Sequence, residues 1–260
     1  MKDEKQPQYS VVIPVYNESS KEEEMKEHLD SIKNYFEGKG WSYEIVVALD
    51  GPTDETPNLV RKHTQDNENV RILDRKINHG KGYTLREGLL AATGERRMFT
   101  DMDGATAIKM LNRLIPEMDK GADYVIGSRD IEGSEIDKHQ FFLKEWLGKT
   151  GNLLIQFVGG LWGIKDTQCG FKLFTEQFTK DVIPRTKVDR WGIDFEILTI
   201  GKKLGYQMVQ VPVQWDDKGE SLVGLGGFGY LHTLRDLFKV RWNLIKGAYR
   251  LNRKMENIKK

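Results

Sequence analysis

The sequence predicts an α/β fold built on a mostly parallel sheet with helices on both faces. Two observations support this prediction: short apolar runs alternate with segments of helical periodicity, and polar residues follow where the apolar runs stop. Strands that alternate with helices form parallel sheets, because a crossover helix returns the chain to the same edge. Ligands of such sheets bind beyond the carboxyl ends of the strands, so those polar residues mark the predicted site.

Predicted strands and helices alternate along the first half of the chain. The strands are short and apolar, and they cover residues 9–15, 43–49, 70–73, 98–100 and 123–127. The helices carry apolar residues on one face, and they fall near residues 25–36, 56–65, 81–94 and 108–118. Beyond this alternating part, the chain becomes rich in aromatic residues and glycine.

Length and composition limit the class of protein. The 260 residues suffice for one large α/β domain or for a domain with an appendage, and 38 % hydrophobic with 30 % charged residues is an ordinary globular balance. The single cysteine, Cys169, excludes an internal disulfide and favours a reducing compartment. The polar residues 1–10 lack the apolar core of a signal peptide. We therefore expect a globular protein without a secretory leader.

Two aspartates end the predicted strand at residues 98–100. In extended backbone, residues i and i+2 point to the same side, so Asp101 and Asp103 face one region of space. Two like charges repel there unless something positive lies between them, and a hard divalent cation with oxygen ligands is the usual remedy. The pair therefore predicts a metal site at this edge of the sheet.

Two further loops place polar residues at strand or helix ends. Residues 14–18 (Pro-Val-Tyr-Asn-Glu) follow the first strand, and residues 78–82 (Asn-His-Gly-Lys-Gly) surround Lys81 at a helix start. Backbone N–H groups at a helix start attract phosphates, and a lysine adds a positive charge. The spacing matches neither a Walker A loop nor a Gly-x-Gly-x-x-Gly dinucleotide turn. A solvent-exposed lysine is the alternative for Lys81.

The second half of the chain contains two amphipathic, aromatic-rich regions. In residues 141–162, the longest uncharged run is 15 residues, at 150–164, and a spanning helix needs about 20. A helix pair at a membrane interface or a buried hairpin both fit this region. Residues 228–251 have an apolar stripe (Leu231, Leu234, Phe238, Trp242, Ile245 and Tyr249) with a basic opposite face. This favours membrane contact over plain core packing.

The motifs, taken in chain order, resemble one family. The first are Val-Ile-Pro-Val-Tyr-Asn-Glu (12–18), Asp-Gly (50–51), Gly-Lys-Gly (80–82) and Asp-Met-Asp (101–103). They resemble the inverting family 2 glycosyltransferases of GT-A fold, a Rossmann-like α/β arrangement. The later motifs are residues 103–106, 127–129, 166–174 and 190–196. These are similar to the dolichyl-phosphate β-glucosyltransferases, and the resemblance spans residues 9–251.

The resemblance implies transfer of glucose from UDP-glucose to a polyprenyl phosphate, with inversion. It also implies Mg²⁺ or Mn²⁺ held by Asp101 and Asp103 on the diphosphate. The residues implied in catalysis are Asp103, Arg129, Asp166, Lys172, Arg190 and Asp194. Those implied in substrate binding are Pro14, Tyr16, Asn17, Glu18, Asp50, Gly80, Lys81, Asp101, Gln168 and Trp191. An acceptor phosphate monoester, with a second pKa of about 6, is largely dianionic at neutral pH and is already a nucleophile.

Domain organisation and location follow from the same reading. Residues 1–215 are expected to form the GT-A domain, with a nucleotide-sugar half at 9–128 and an acceptor half at 129–215. Residues 216–260 form an amphipathic basic extension, in which residues 230–260 hold nine Lys or Arg against two acidic residues. We expect peripheral attachment to the cytoplasmic face of a membrane and no nucleic-acid partner. The basic residues could instead be a solvated helix face, and the oligomeric state stays open.

Other functions fit parts of the sequence. A close alternative keeps the fold and uses GDP-mannose as donor or a saccharide as acceptor. A nucleotidyltransferase would normally show a glycine-rich loop after the first strand, where this chain has Tyr16, Asn17 and Glu18. A catalytically silent membrane-binding protein is the non-enzyme alternative. It is suggested by Leu49, where family relatives usually carry a first aspartate before Asp50.

Several site candidates also have structural alternatives. Trp191 is compatible with a core position, and Arg190 with an ion pair to Asp189 or Asp194. Asp194 and Glu196 are compatible with capping or solvating a helix. The positions of these side chains in the fold distinguish the alternatives.

Overall fold

The computed structural model describes residues 6–136, 142–216 and 228–251. The strands in this part are β1 (Tyr9–Val15), β2 (Tyr43–Asp50), β3 (Val70–Arg75), β4 (Arg96–Thr100), β5 (Tyr124–Ser128), β6 (Glu135–Ile136), β7 (Phe171–Thr175), β8 (Met208–Pro212) and β9 (Gln214–Trp215). The helices are α1 (Glu22–Lys39), α2 (Thr56–Thr64), α3 (Lys81–Ala91), α4 (Leu111–Asp119), α5 (Phe142–Gly159), α6 (Glu176–Val182), α7 (Ile193–Lys203) and α8 (Phe228–Ile245).

The described strands form a seven-stranded central sheet in the order β3-β2-β1-β4-β7-β5-β8, and β6 pairs with β9 in a separate sheet. The predicted α/β architecture is confirmed, because β1 to β4 are parallel and alternate with helices. Val15 pairs with Leu49, and Leu49 pairs with Asp74. This register brings the carboxyl ends of the parallel strands to one edge, where ligands bind in such sheets.

One strand in the centre of the sheet runs against the others. β7 lies between β4 and β5 and is antiparallel to both, with Phe171 paired to Thr100. The sequence analysis treated residues 166–174 as a motif and did not predict this strand. Because β7 starts where β4 ends, residues 166–170 lie at the carboxyl edge of the parallel strands while Phe171, Leu173 and Phe174 are buried. The motif thus combines a site loop and a core strand.

The core consists of two clusters of buried side chains. One includes Ile13, Leu49 and Phe171, and the other includes Val12, Phe99 and Phe174. Alternate residues of each strand enter different clusters because successive side chains point to opposite sheet faces. α8 belongs to the second cluster through Leu237 and Val240, so it packs on the same body as the sheet.

Large apolar side chains are exposed on the described parts of α5 and α8 and on the turn after α5. The exposed large apolar side chains in these two regions are Leu153, Leu154, Phe157, Trp162, Phe238, Trp242 and Ile245. The two helices pack against each other. The predicted stripe of α8 was wrong for Tyr249, which is 1 % exposed because the chain turns after the helix and buries the ring. Among the described helices, none is long and apolar enough to cross a membrane.

Candidate active site

A cleft of about 530 Å³ opens at the carboxyl ends of β1, β2 and β4. Its volume is in the range of small-molecule sites. The predicted site residues that line it are Pro14, Tyr16, Glu18, Asp50, Gly80, Lys81, Asp101, Asp103, Arg129, Gln168, Arg190 and Trp191. The predicted site residues outside its lining are Asn17, Asp166, Lys172 and Asp194. The fold therefore brings most candidates together from distant parts of the sequence.

The two aspartates after β4 lie side by side in the cleft. Asp103 follows the buried Met102 and accepts a hydrogen bond from the backbone N–H of Ala105 at 3.0 Å. Burial raises the pKa of Asp103, and the nearby charge of Asp101 raises it further. Within the described residues, no group of three acidic, histidine or cysteine side chains is placed to hold a metal ion. A cation here would take two carboxylates from the protein and its other ligands from elsewhere.

Lys81 is the nearest positive charge to this acidic pair. Its ammonium lies 2.7 Å from Oδ1 of Asp101 and 4.0 Å from Oδ2 of Asp194. Burial alone would lower the pKa of Lys81, but the carboxylates of Asp101 and Asp194 raise it above its usual value. The ammonium also lies 5.3 Å from the ring centroid of Trp191. Since only 13 % of the side chain is exposed, the solvent-exposed alternative for Lys81 was wrong.

Behind Lys81 the charges continue into the protein interior. Asp194 forms a buried ion pair with Lys172, whose ammonium also donates to the carbonyl of Cys169 at 2.6 Å. Lys172 and Asp194 have 0 % and 3 % of their side chains exposed. Asp194 therefore neither caps a helix in solvent nor enters the cleft. Lys172, Asp194, Lys81 and Asp101 form a row of alternating charges that runs from the core to the cleft.

The glycines around Lys81 permit a close approach between two segments. A Cβ on Gly80, which has φ +105°, would lie 2.4 Å from the carbonyl oxygen of Asp189. A Cβ on Gly82 would lie 2.6 Å from the carbonyl oxygen of Val188. The backbone N–H of Tyr83 donates to that same Asp189 carbonyl at 3.1 Å. These glycines are thus explained by packing against residues 188–190.

Asp50 supports the loop that carries Gly80 and Lys81. Its carboxylate accepts hydrogen bonds from the backbone N–H groups of His79 at 2.8 Å and Gly80 at 2.9 Å. The neighbouring Leu49 is fully buried in the core and does not line the cleft. Nucleoside binding by Asp50 stays a prediction, and its observed contacts orient the start of α3.

Arg129 and Asp166 form a bidentate pair. Nε of Arg129 donates to Oδ2 at 2.7 Å, Nη2 donates to Oδ1 at 3.0 Å, and the Arg129 backbone N–H donates to Oδ2 at 3.1 Å. Burial would raise the pKa of Asp166, but the guanidinium holds it below its usual value. The guanidinium also lies 5.2 Å from the ring centroid of Trp215. Asp166 thus fixes Arg129 at the cleft wall without entering the cleft.

Two neighbouring site loops are joined by Asn17. Its side-chain amide donates to the Thr53 hydroxyl at 3.1 Å and accepts from the Thr53 N–H at 2.9 Å. Asn17 adopts φ 49°, a left-handed conformation that asparagine tolerates better than most residues. This link holds Tyr16 and Glu18 at the cleft wall, while Asn17 points away to the loop after β2.

The remaining candidates have clear positions. Trp191 lines the cleft, so a plain core position was wrong. The sequence analysis allowed an ion pair of Arg190 with Asp189 or Asp194. Instead, Asp189 pairs with Arg86 and Asp194 pairs with Lys172. Burial raises the pKa of the Cys169 thiol to about 12, which fits a small buried residue.

The sequence analysis missed several residues of the cleft wall. These are Lys21, Trp215 and Asp216. Apolar residues alternate at Val211, Val213 and Trp215, and the polar Asp216 comes next. This pattern could have indicated a strand that ends at the site. The backbone N–H of Asp216 donates to the Ala105 carbonyl at 2.9 Å, which closes the cleft beside the acidic pair.

Comparison with known proteins places this cleft in a family. The profile of glycosyl transferase family 2 matches residues 10–182, which include both aspartates of the acidic pair. The chain belongs to glycosyl transferase family 2. The predicted enzyme class, a glycosyltransferase, is thereby confirmed.

This family 2 transferase is similar to curated dolichyl-phosphate β-glucosyltransferases. A Trichomonas vaginalis relative is 35 % identical over 228 residues, covering 83 % of this chain and 66 % of the relative. The Homo sapiens relative is 32 % identical over 260 residues, covering 94 % of this chain and 78 % of the relative. The chain thus spans about two thirds of the first relative and more of the second.

A solved structure shares the fold of this family 2 transferase. Glucosyl-3-phosphoglycerate synthase from Mycobacterium tuberculosis, in complex with Mn²⁺, UDP and glucosyl-3-phosphoglycerate, superposes with a TM-score of 0.64 at 17 % identity. The match covers 91 % of this chain and 80 % of the synthase. The predicted GT-A fold is confirmed by this likeness.

Proposed function

We propose that this family 2 transferase moves glucose from UDP-glucose to a polyprenyl phosphate, with inversion at the anomeric carbon. The observation that carries the proposal is the meeting of an acidic pair with four cations in one cleft: Lys21, Lys81, Arg129 and Arg190. An acidic pair suits a metal-bound diphosphate, and cations suit two anionic substrates. The similarity to dolichyl-phosphate β-glucosyltransferases supports the choice of glucose and lipid phosphate.

The residues present fit a divalent cation of the Mg²⁺ or Mn²⁺ type. Asp101 and Asp103 supply two hard oxygen donors, and Mg²⁺ commonly uses one or two carboxylates together with substrate phosphates. The repulsion between the two carboxylates and the burial of Asp103 call for positive charge, which Lys81 and Lys21 supply in part. When bound, the cation would stabilise the negative charge that develops on the departing diphosphate. The solved neighbour contains both Mn²⁺ and UDP, which supports this proposal.

The protein's own part in the reaction is to gather and orient anions. The dianionic acceptor phosphate needs no general base, so positioning supplies most of the rate enhancement. Arg129, fixed by Asp166, and Arg190 are the cations available to the acceptor side of the cleft. Lys81 is placed to move from Asp101 to a diphosphate oxygen, since it faces the cleft beside the acidic pair. In-line attack on the face opposite the diphosphate inverts the anomeric carbon.

A transfer assay tests this function. Labelled UDP-glucose and GDP-mannose are each supplied with a short polyprenyl phosphate, and in parallel with soluble saccharides. We expect a glucosyl phospholipid whose linkage is sensitive to β-glucosidase. Product from GDP-mannose alone, or on saccharides alone, would overturn the donor or acceptor assignment. Absence of any product together with absence of UDP binding would favour a silent protein.

We also propose that α5 and α8 attach the protein to the cytoplasmic face of a membrane. The apolar side chains Phe238, Trp242 and Ile245 of α8 are more than half exposed. The exposed basic residues around them are Arg235, Lys239, Arg241 and Lys246. The sequence analysis placed basic residues opposite the apolar stripe, but the opposite face is buried, so they flank the stripe. Flanking cations suit an anionic lipid surface.

Replacing Phe238 and Trp242 together by serine should weaken binding to vesicles that contain anionic lipid. Both side chains point outward, so the fold and core stay intact. We expect the bound fraction in vesicle co-sedimentation to fall at least about tenfold, because two aromatic side chains lose their apolar contact. Binding of the wild-type protein should also weaken as salt is raised.

The matched control is Ile77→Ser, an apolar side chain that is 67 % exposed outside α5 and α8. It should leave vesicle binding unchanged. Equal binding by the Phe238/Trp242 variant and the wild type would contradict the proposed surface. Truncation after Gly229 is a poorer test, because it removes Leu237 and Val240 from the core.

Gly170→Ala should weaken metal binding without unfolding the protein. A Cβ at this position would lie 1.9 Å from Oδ2 of Asp101, so the carboxylate has to turn away from its present position. We expect the affinity for Mn²⁺ in the presence of UDP to fall by about tenfold or more, as when the support of a metal ligand is changed. Calorimetric titration measures it. Gly38→Ala, whose Cβ meets no atom within 4 Å, is the control, and equal affinities would contradict the metal role of Asp101.

A further inference from the structure

A loop at residues 186–192 carries two residues of the cleft, Arg190 and Trp191. On one side it packs against the start of α3. Gly80, Gly82 and the backbone N–H of Tyr83 all approach its carbonyl groups. The start of α3 also holds Lys81, so this loop and Lys81 pack together at the cleft.

On its other side the loop is held by a buried carboxylate, Glu196 of α7. Its oxygens accept hydrogen bonds from the backbone N–H groups of Lys187 at 3.0 Å and Val188 at 2.9 Å. The same carboxylate accepts a hydrogen bond from the Tyr249 hydroxyl at 2.7 Å. Glu196 is fully buried and Tyr249 is 1 % exposed, and neither lines the cleft. Tyr249, in the segment after α8, thus supports the loop through Glu196.

α8 itself contacts both ends of the loop. The Asp236 carboxylate accepts a hydrogen bond from the backbone N–H of Gly192 at 3.0 Å, and the Lys239 ammonium donates to the Lys187 carbonyl at 2.8 Å. A Cβ on Gly192 would lie 2.5 Å from the Cβ of Asp236, so the glycine leaves room for the Asp236 side chain against the loop. The cleft loop is therefore enclosed between α3 and the C-terminal segment.

We propose that Asp236 and Tyr249 are positioning residues that hold the 186–192 loop so that Arg190 and Trp191 face the cleft. Both act from the C-terminal segment, whose outward face is the proposed membrane surface. Arg190 is exposed and depends on its loop for its position, whereas Lys81 is also held by Asp101 and Asp194. Loosening the loop therefore weakens use of the acceptor more than binding of UDP. The identity of that acceptor rests on the proposed function.

The test uses the full chain with UDP, UDP-glucose and a short, water-soluble polyprenyl phosphate, so that membrane attachment plays no part. In Tyr249→Phe, which keeps the ring and loses the hydroxyl, we expect kcat/KM for the acceptor to fall about fivefold, the change expected from one hydrogen bond. Asp236→Ala should give a similar loss, and the double variant a loss of roughly twentyfold. The dissociation constant of UDP should change less than about twofold.

Two further variants are the controls. Asp236→Asn keeps an oxygen that accepts from Gly192, so it should restore most of the acceptor kcat/KM. Lys203→Ala, at an exposed position on α7, should behave like the wild type in this soluble assay.

Hydrogen exchange of the Lys187, Val188 and Gly192 amides gives a readout that does not depend on the reaction. We expect faster exchange in Tyr249→Phe and Asp236→Ala than in the wild type. Unchanged exchange and unchanged acceptor kinetics would overturn the positioning role. An equal loss of UDP binding and acceptor use would also overturn it, because it would indicate general destabilisation. If the wild type itself transfers no glucose, the proposed function fails, while the exchange result still decides the role of the loop contacts.

Discussion

Asp103→Asn should lower glucosyl transfer by roughly 10²–10³-fold, the range seen when one group that stabilises developing charge is removed. The substitution keeps the shape of the side chain and removes one of two negative charges from the cleft. Its backbone contact with Ala105 can persist, because the amide oxygen still accepts a hydrogen bond. We therefore expect the loss to come from charge and not from a collapsed loop. Initial rates of transfer at saturating Mn²⁺ measure it.

Thermal unfolding without metal is the second measurement for Asp103→Asn. The carboxylate is largely buried beside Asp101, so neutralising it removes a repulsion. We expect Tm to stay the same or to rise, which separates loss of function from loss of fold. Asp30→Asn, an exposed carboxylate on α1, is the control and should change neither quantity. Transfer within about tenfold of the wild type would count heavily against a metal-holding role.

Asp194→Ala should give the largest loss of stability among the site variants. The Lys172 ammonium is fully buried and donates to two acceptors, the Cys169 carbonyl and Asp194. The substitution leaves it with the Cys169 carbonyl alone. Breaking a buried pair by removing one partner costs about 3–5 kcal/mol, because the other charge stays uncompensated. Urea unfolding followed by circular dichroism measures the free energy of unfolding. Lys180→Met, which breaks an exposed pair with Glu176, is the control and should cost about 0–1 kcal/mol.

A double variant, Lys172→Met with Asp194→Leu, separates stability from function. Replacing both charges by apolar side chains removes the unpaired ammonium, so most of the lost stability should return. Transfer should not return, since Asp194 also lies 4.0 Å from Lys81 in the cleft. A fully active double variant would show that the pair has no part in the reaction. An Asp194→Ala protein as stable as the wild type would contradict the buried pair.

The sequence predicted the site best where its residues directly follow a strand that can be recognised from its apolar run. Apolar runs with a polar end located the strands, and the parallel arrangement then placed Asp50, Asp101 and Asp103 at one edge. Both aspartates lie in one cleft as predicted and Met102 is buried, but the extended backbone assumed for them was wrong. β4 ends at Thr100, and the Gly104 N–H donates to the Asp101 carbonyl at 3.4 Å in a turn. The strand ends need only the chain's own periodicity, which is why they could be found without coordinates.

Other features depend on partners far away in sequence. Lys172 lies inside the core, and Asp166 lies behind Arg129. The residues next to them in the sequence do not indicate either position. The direction of β7 follows from pairing with β4, whose residues lie about seventy positions earlier. Tyr249 has helical spacing with exposed residues, but its ring is buried against Glu196. Burial of this kind depends on tertiary pairing, which composition and periodicity do not encode.

The central place of β7 has a consequence for how the chain acquires its shape. β4 and β5 both pair with a strand that emerges later from the ribosome. When only the first half has emerged, β4 therefore lacks one neighbour and β5 lacks both. Unpaired strand edges invite association with other chains. Until Phe171–Thr175 has paired with both strands, the nascent protein is exposed to aggregation. Gln168, Cys169 and Gly170, which precede this strand and line the cleft, are not held in place before then.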